Sequence, residues 1–262
     1  KTAISQEFTH NNTYPSLMKL HITNESEGET YIYELNASDI NATTIQFDTD
    51  KEFVFLEVET KGERDLIKVF ENGELEGYDD GFVVYADNIE DARKLVEVLK
   101  FYVNEAEKIQ SVELADLNNA AELTDINVFI SKHVNDVVVD DESFKQSYTY
   151  NPSQPFMATL KVENVNEGEA YDYNFNLADL NQNALSFDTK GNEVIIEINT
   201  SGERDLVMVH ENGELEDYEN EIAFQANGIE EARYIIEGFK KAVATSKEQQ
   251  ETSPIKAKSA PT

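Results

Sequence analysis

The chain states one segment twice. Residues 6–103 recur as residues 146–243 at a constant offset of 140, with no insertion or deletion. Glu29-Thr-Tyr-Ile-Tyr33 returns as Glu169-Ala-Tyr-Asp-Tyr173, Thr60-Lys-Gly-Glu-Arg-Asp-Leu66 as Thr200-Ser-Gly-Glu-Arg-Asp-Leu206, and Glu71-Asn-Gly-Glu-Leu-Glu76 as Glu211-Asn-Gly-Glu-Leu-Glu216. Between positions 18 and 103, roughly 37 of 86 residues equal their partners. A slip of one residue in a strand turns every side chain to the opposite face. An unbroken offset of this length therefore requires two copies of one fold. It also supplies an internal comparison, in which a position held in both copies is a constrained position.

Each copy predicts the same elements. Period-two alternation marks strands near residues 6–12, 17–23, 30–36, 43–49 and 54–58, with partners 140 residues on. Val54, Leu56 and Val58 match Val194, Ile196 and Ile198, while Glu57 and Glu197 face the other way. A sixth strand spans 65–70. The pair Asn72-Gly73, repeated as Asn212-Gly213, favours a two-residue hairpin in which both central residues are left-handed. A seventh strand is expected over 77–86 and 217–226. Asp87 and Asn227, followed three residues later by Glu90 and Glu230, read as the capping box of a closing helix. Its apolar stripe is Ile89, Ala92, Val96, Leu99 and Val103, matched by Ile229, Ala232, Ile236, Phe239 and Val243.

The fold class expected is α+β: two tandem antiparallel β-sheet or barrel domains of about seven strands, each closed by a C-terminal helix and joined by a helical connector. The boundaries are 1–103 for copy one, 104–140 for the connector, 141–244 for copy two, and 245–262 for a disordered tail rich in Ser, Lys, Gln, Glu, Pro and Ala. Residues 120–134 read as a helix with Leu123, Ile126, Phe129, Ile130 and Val134 on one side, and 136–140 as a short strand, so the connector belongs to the repeat unit of copy two. Nothing equivalent stands ahead of Lys1, which raises the expectation of further sequence upstream. Strands closed by one helix, opened by Ile89-Glu-Asp-Ala-Arg-Lys-Leu95 and Ile229-Glu-Glu-Ala-Arg-Tyr-Ile235, resemble the pleckstrin-homology-like architecture. Phosphoinositide sites of that family need basic clusters, which are missing here, so lipid headgroup binding is not implied.

The chain carries 53 acidic and 21 basic residues, a formal charge of −32. No basic footprint exists for a nucleic acid or an anionic membrane. No run approaches the ~18–20 apolar residues of a membrane helix. Plausible partners are proteins or neutral small molecules, with cations and basic proteins favoured by charge. Cysteine is absent, which excludes disulfides and thiolate chemistry. The Asn/Thr/Tyr-rich strands and tandem modules suggest an extracytoplasmic bacterial protein, periplasmic or secreted. The sequons at Asn24, Asn36 and Asn41 lack counterparts in copy two and read as incidental.

Candidate binding residues are those both copies keep. Glu63 and Arg64, with Glu203 and Arg204, sit in the turn after the fifth strand. Either the arginines recognise a carboxylate, or the block is a turn in which Arg pairs with neighbouring acids. Tyr31 and Tyr33, with Tyr171 and Tyr173, alternate along one strand face; they line a cleft or pack in the core. Asp39 and Asn41, with Asp179 and Asn181, read as a capped turn. A calcium reading of Asp48-Thr-Asp50-Lys-Glu52 fails at its partner Asp188-Thr-Lys-Gly-Asn192. Asp79-Asp80 answers to Glu219-Asn220 and is acidic only in part. His10, His21 and His210 face Tyr150, Lys161 and Phe70, and His133 has no partner, so no histidine is shared. Neither a catalytic set, a metal site nor a cofactor motif is expected. The functional expectation is a non-catalytic binding or scaffolding protein. A carrier of an apolar or aromatic ligand inside each curled sheet comes second, and an acidic hydrolase third.

Overall fold

A computed structural model describes residues 3–50 and 53–252, without the side chains of 110–113 and 251–252. The chain is mixed α+β, with several antiparallel sheets, and divides into two compact units. One holds residues 1–115 with 189–192, and the other the remainder from residue 116.

Unit 1 contains β1 (Ile4–His10), β2 (Leu17–Asn24), β3 (Glu29–Asn36), β4 (Gln46–Asp50), β5 (Phe53–Glu59), β6 (Ile67–Glu71), β7 (Glu74–Asp79), β8 (Gly81–Ala86) and α1 (Ile89–Glu113). The strands form a five-stranded sheet in the order β1-β2-β3-β6-β7 and a three-stranded sheet in the order β4-β5-β8. Then follow α2 (Ala115–Asn119), α3 (Leu123–His133) and β9 (Val137–Val139). The second copy comprises β10 (Glu142–Asn151), β11 (Gln154–Asn164), β12 (Glu169–Asn176), β13 (Ser186–Lys190), β14 (Glu193–Asn199), β15 (Val207–Glu211), β16 (Glu214–Glu219), β17 (Glu221–Gln225) and α4 (Ile229–Thr252). Its sheets are β16-β15-β12-β11-β10-β9 and β13-β14-β17.

Three expectations need correction. The single seventh strand is two, so each copy has eight strands. β7 returns along β6 through the Asn-Gly turn, where Asn72 and Gly73 have φ of 52° and 88° and Asn212 and Gly213 have 49° and 87°. At Asp80 the chain leaves that sheet, and β8 pairs with β5 in the other. The third strand accordingly pairs with the sixth, and the strands do not follow one another in chain order as a simple succession of elements suggests. Second, no sheet closes into a barrel among the described residues. Third, residue 245 does not begin a tail: α4 runs to Thr252, with Ser246 buried and Lys247 donating to Leu180 O at 2.9 Å. Residues 253–262 lie outside the described residues.

The two sheets of each copy are joined at one side by a glutamine. Gln6 Nε2 donates to Tyr85 O at 2.9 Å, and Tyr85 N donates to Gln6 Oε1 at 2.8 Å. Gln146 repeats both bonds with Gln225, each at 2.9 Å. A side-chain amide thus offers the edge of β8 or β17 the donor and acceptor that a peptide group would. At the other side, Asn41 N donates to Glu59 O and Lys61 N to Asp39 O, and their counterparts in copy two repeat the pattern. Leu20, Leu56 and Ile67 in unit 1, with Leu160, Ile196 and Val207 in unit 2, fill the space between the sheets and are fully buried.

The helix caps this core with most of the predicted stripe, Ala92, Leu99 and Val103 being buried and Val96 half-buried, while Ile89 at its start is exposed. Its start is one residue later than the spacing suggests. Asn88, not Asp87, is the cap: Asp91 N donates to Asn88 Oδ1 at 3.0 Å and Asn88 Nδ2 to Asp91 Oδ2 at 2.7 Å. Asn36 caps the 3₁₀ turn Ala37–Asp39, and Asn176 caps Leu177–Asp179.

Candidate functional site

The period-two placement of Tyr31 and Tyr33 on β3 puts both rings on the inner side of the larger sheet. There the sheets diverge, and an open cleft of about 490 Å³ lies between β3, β5 and β8. Tyr31, Tyr33 and Tyr85 supply its aromatic walls, and Glu57, Glu59, Asp79 and Asp80 its carboxylates. Tyr33 packs on Phe82 with ring centroids 5.8 Å apart. The second copy has a cleft of about 410 Å³ at equivalent positions. Tyr173 stands for Tyr33, Glu219 for Asp79, Asn220 for Asp80 and Glu221 for Gly81, with Tyr218 and Asp205 beside them. Tyr171 stacks beside Tyr173 at 6.2 Å. Neither cleft is lined by a lysine, arginine or histidine.

The electrostatics agree between copies. Burial, then the Glu29 and Glu71 carboxylates, push the Tyr31 phenol up to about 12; its hydroxyl donates to those carboxylates at 3.4 and 3.3 Å. Burial and then Asp79 raise Tyr33. Burial and then Glu219 push Tyr173 up to about 12. Burial and then Glu169 and Glu211 raise Tyr171. Asp80 is raised by burial, then by its hydrogen bond with Asp79 and the charges of Asp79 and Asp65. Glu219 is raised by burial, then by Glu216, Asp217 and Glu221. The carboxylates beside these groups hold the rim under negative potential. The phenols stay neutral at physiological pH and present ring faces, whose quadrupole attracts cations.

The other retained block goes elsewhere. Glu63, Arg64, Glu203 and Arg204 are exposed and line neither cleft. They belong to a closed turn: Thr60 Oγ1 donates to Arg64 O at 2.6 Å and accepts from Arg64 N at 3.0 Å, and Thr200 donates likewise to Arg204 O at 2.6 Å. Glu63 and Glu203 sit at φ of 52° and 53°, in the left-handed region. Arg204 Nε donates to Ser201 O at 3.0 Å. The turn thus explains the retention of Thr60 and Thr200, both buried, as well as of the Gly-Glu-Arg run.

Sequence reasoning missed the cleft acids. Asp79 and Asp80 drew notice only as a weak cation site, and Glu57 only as the wet side of a strand. The usable signal was that Asp79-Asp80 and Glu219-Asn220 stand beside a retained tyrosine, Tyr78 or Tyr218. Of the acidic run at 48–52, Asp48 and Asp50 lie on β4, while Lys51 and Glu52 lie outside the described residues. Among the described residues no three His, Asp or Glu side chains converge as metal ligands. Asn36 is buried, and its Oδ1 accepts from Ser38 N at 3.0 Å and Ser38 Oγ at 2.8 Å. His133 belongs to packing, with Nδ1 2.9 Å from Glu231 Oε1 and its ring 4.5 Å from Phe129.

Comparison with family models, with curated proteins and with solved structures finds no match to this chain.

Proposed function

We propose that this is a non-catalytic binding protein whose two acidic, tyrosine-walled clefts each take a cationic side chain from a basic segment of a partner protein. One observation carries the reading: both copies place a tyrosine of the third strand against carboxylates of the seventh-strand corner, in an open cleft with no basic lining residue. A lysine or arginine entering there meets a ring face and a carboxylate together. Such a contact contributes about 0.5–2 kcal/mol from the ring alone, more as water leaves. Both clefts fall within the roughly 300–1,000 Å³ of ordinary ligand sites. The compartment proposed is extracytoplasmic, and the partner a protein; no nucleic acid is expected at so acidic a surface.

The carrier reading has less support. In unit 1 the space among Phe8, Met18, Leu35, Ile40, Leu99 and Val103 amounts to about 10 Å³, too little for an apolar ligand between the sheets.

Titration of the protein with a pentalysine peptide, followed calorimetrically at fixed ionic strength, tests the proposal. The charge-neutral variants Tyr33→Ala and Tyr173→Ala separate a site from diffuse attraction. Each should weaken binding about twofold to thirtyfold, the factor equivalent to 0.5–2 kcal/mol. Binding that ignores both substitutions, or no binding at low salt, would reject the clefts as the site.

A further inference from the structure

The two copies differ in what covers their closing helix. In unit 2, α3 packs along α4. A Cβ on Gly238 would stand 2.8 Å from Ile130 Cγ1 and 3.3 Å from Phe129 Cδ1, so the helices cross in close contact there. Lys241 Nζ donates to the carbonyls of Leu117 and Asn118. Beyond α3, β9 adds to the outer edge of β10, pairing Val137 with Phe144 and Val138 with Ser143. Asn135 O accepts a second hydrogen from Gln146 Nε2 at 2.9 Å. Under this cover Tyr148 is 1% exposed, and its hydroxyl donates to Asn127 Oδ1 at 2.6 Å.

Unit 1 has the same face without the cover. Gly238 corresponds to Val98 and Lys241 to Phe101, and these two apolar side chains are 61% and 67% exposed. Leu95 is half-buried where Ile235 is fully buried, and Phe8 is half-buried where Tyr148 is sealed. Among the described residues β1 has β2 alone beside it, and its outer edge corresponds to the edge that β9 occupies on β10. One compensation exists: Tyr102 donates to Pro15 O, the bond that Asn127 of α3 makes to Pro155 O in unit 2. That contact satisfies a carbonyl and leaves Val98 and Phe101 bare.

We propose that the α1 face around Val98 and Phe101, with the outer edge of β1, accepts a helix-then-strand segment of the chemistry of α3–β9, docked as α3–β9 is docked in unit 2. The copy that carries its cover gives the occupant's chemistry. It is an apolar-faced helix of about three turns running into an extended strand that adds to β1. Val98 replaces a glycine at the crossing, so the occupant needs a small residue where α3 has Ile130. A bare apolar face on so acidic a chain is otherwise a liability for association.

The absence of cysteine permits a clean test. Phe101→Cys is made in the full chain, and its labelling by a thiol reagent is timed at two protein concentrations. The measurement is repeated in a chain with a second copy of residues 116–140, carrying Ile130→Ala, tethered ahead of residue 1 by a flexible linker. Tethering raises the effective concentration of the segment to about millimolar. Labelling should be fast and concentration-independent in the first chain and at least tenfold slower in the second. Equal rates in the two chains would overturn the proposal. So would labelling that is already slow in the first chain and accelerates on dilution, since a second copy would then be the occupant. Val98→Cys is the parallel probe, read in the same way.

Discussion

Asp80 shows how one position holds an electrostatic cost. It stands at the corner where β7 gives way to β8, beside Asp79, and burial with that neighbour raises its pKa above the ordinary 3.8. For a carboxyl raised in the fold, the ionised form opposes folding at every pH above the folded pKa, and the opposition is relieved as pH falls through it. The second copy has Asn220 here, which carries no charge. Asp80→Asn should therefore raise the melting temperature of unit 1 at neutral pH, and the gain should vanish as the pH approaches 3.8, the ordinary value. Thermal melts of both chains across that range check it; a loss of stability at neutral pH would refute it. The tyrosines beside it were legible from sequence because period-two alternation fixes which side chains share a face. Asp80 was not, because Gly77 to Ala86 reads as one strand only if the interruption at Asp79-Asp80-Gly81, which marks the corner, is passed over. Arg64 and Arg204 leave two readings open in the sequence for the opposite reason. They are retained with a turn whose constraint is the Thr60 or Thr200 hydroxyl and the left-handed backbone of Glu63 or Glu203, and a polar residue kept for its turn looks like one kept for a ligand.

At the scale of elements, the closing helices have one stripe in common and one face that differs. The shared stripe was readable at helical spacing. The differing face was not, because Val98 against Gly238 is a single pair among many mismatches and its meaning depends on α3. Substituting Gly238→Ala measures that contact. Alanine gains about 1 kcal/mol of helix propensity over glycine. Its Cβ meets Ile130 Cγ1 at 2.8 Å, closer than real contacts allow, and Phe129 Cδ1 at a tight 3.3 Å, and overpacking costs about 1–3 kcal/mol. The expected balance is a net loss of up to about 2 kcal/mol in urea unfolding. Val98→Ala, on the uncovered face, should change stability by less than about 0.5 kcal/mol. A stabilised Gly238→Ala would show that α3 is not held closely on α4.

Over the whole molecule, charge sets the conditions in which these elements persist. With 53 acids against 21 basic residues, the folded chain repels itself. Screening at physiological ionic strength acts over about 8 Å, so melting temperature should climb as NaCl rises from low millimolar to several hundred millimolar. Calcium at matched ionic strength should add little; a calcium-specific rise saturating at micromolar concentration would overturn this. Under the proposed function, the same field that burdens the fold would draw a basic partner to the clefts. The glutamine clasp adds a mechanical consequence. Parting β5 from β8 means breaking a ladder of backbone pairs, whereas parting β1 from β8 breaks the two hydrogen bonds between Gln6 and Tyr85 and costs the apolar packing between the sheets. Each copy is therefore a book with a strong spine and a single catch. Its leaves have a built-in line of parting that leaves every strand pairing intact.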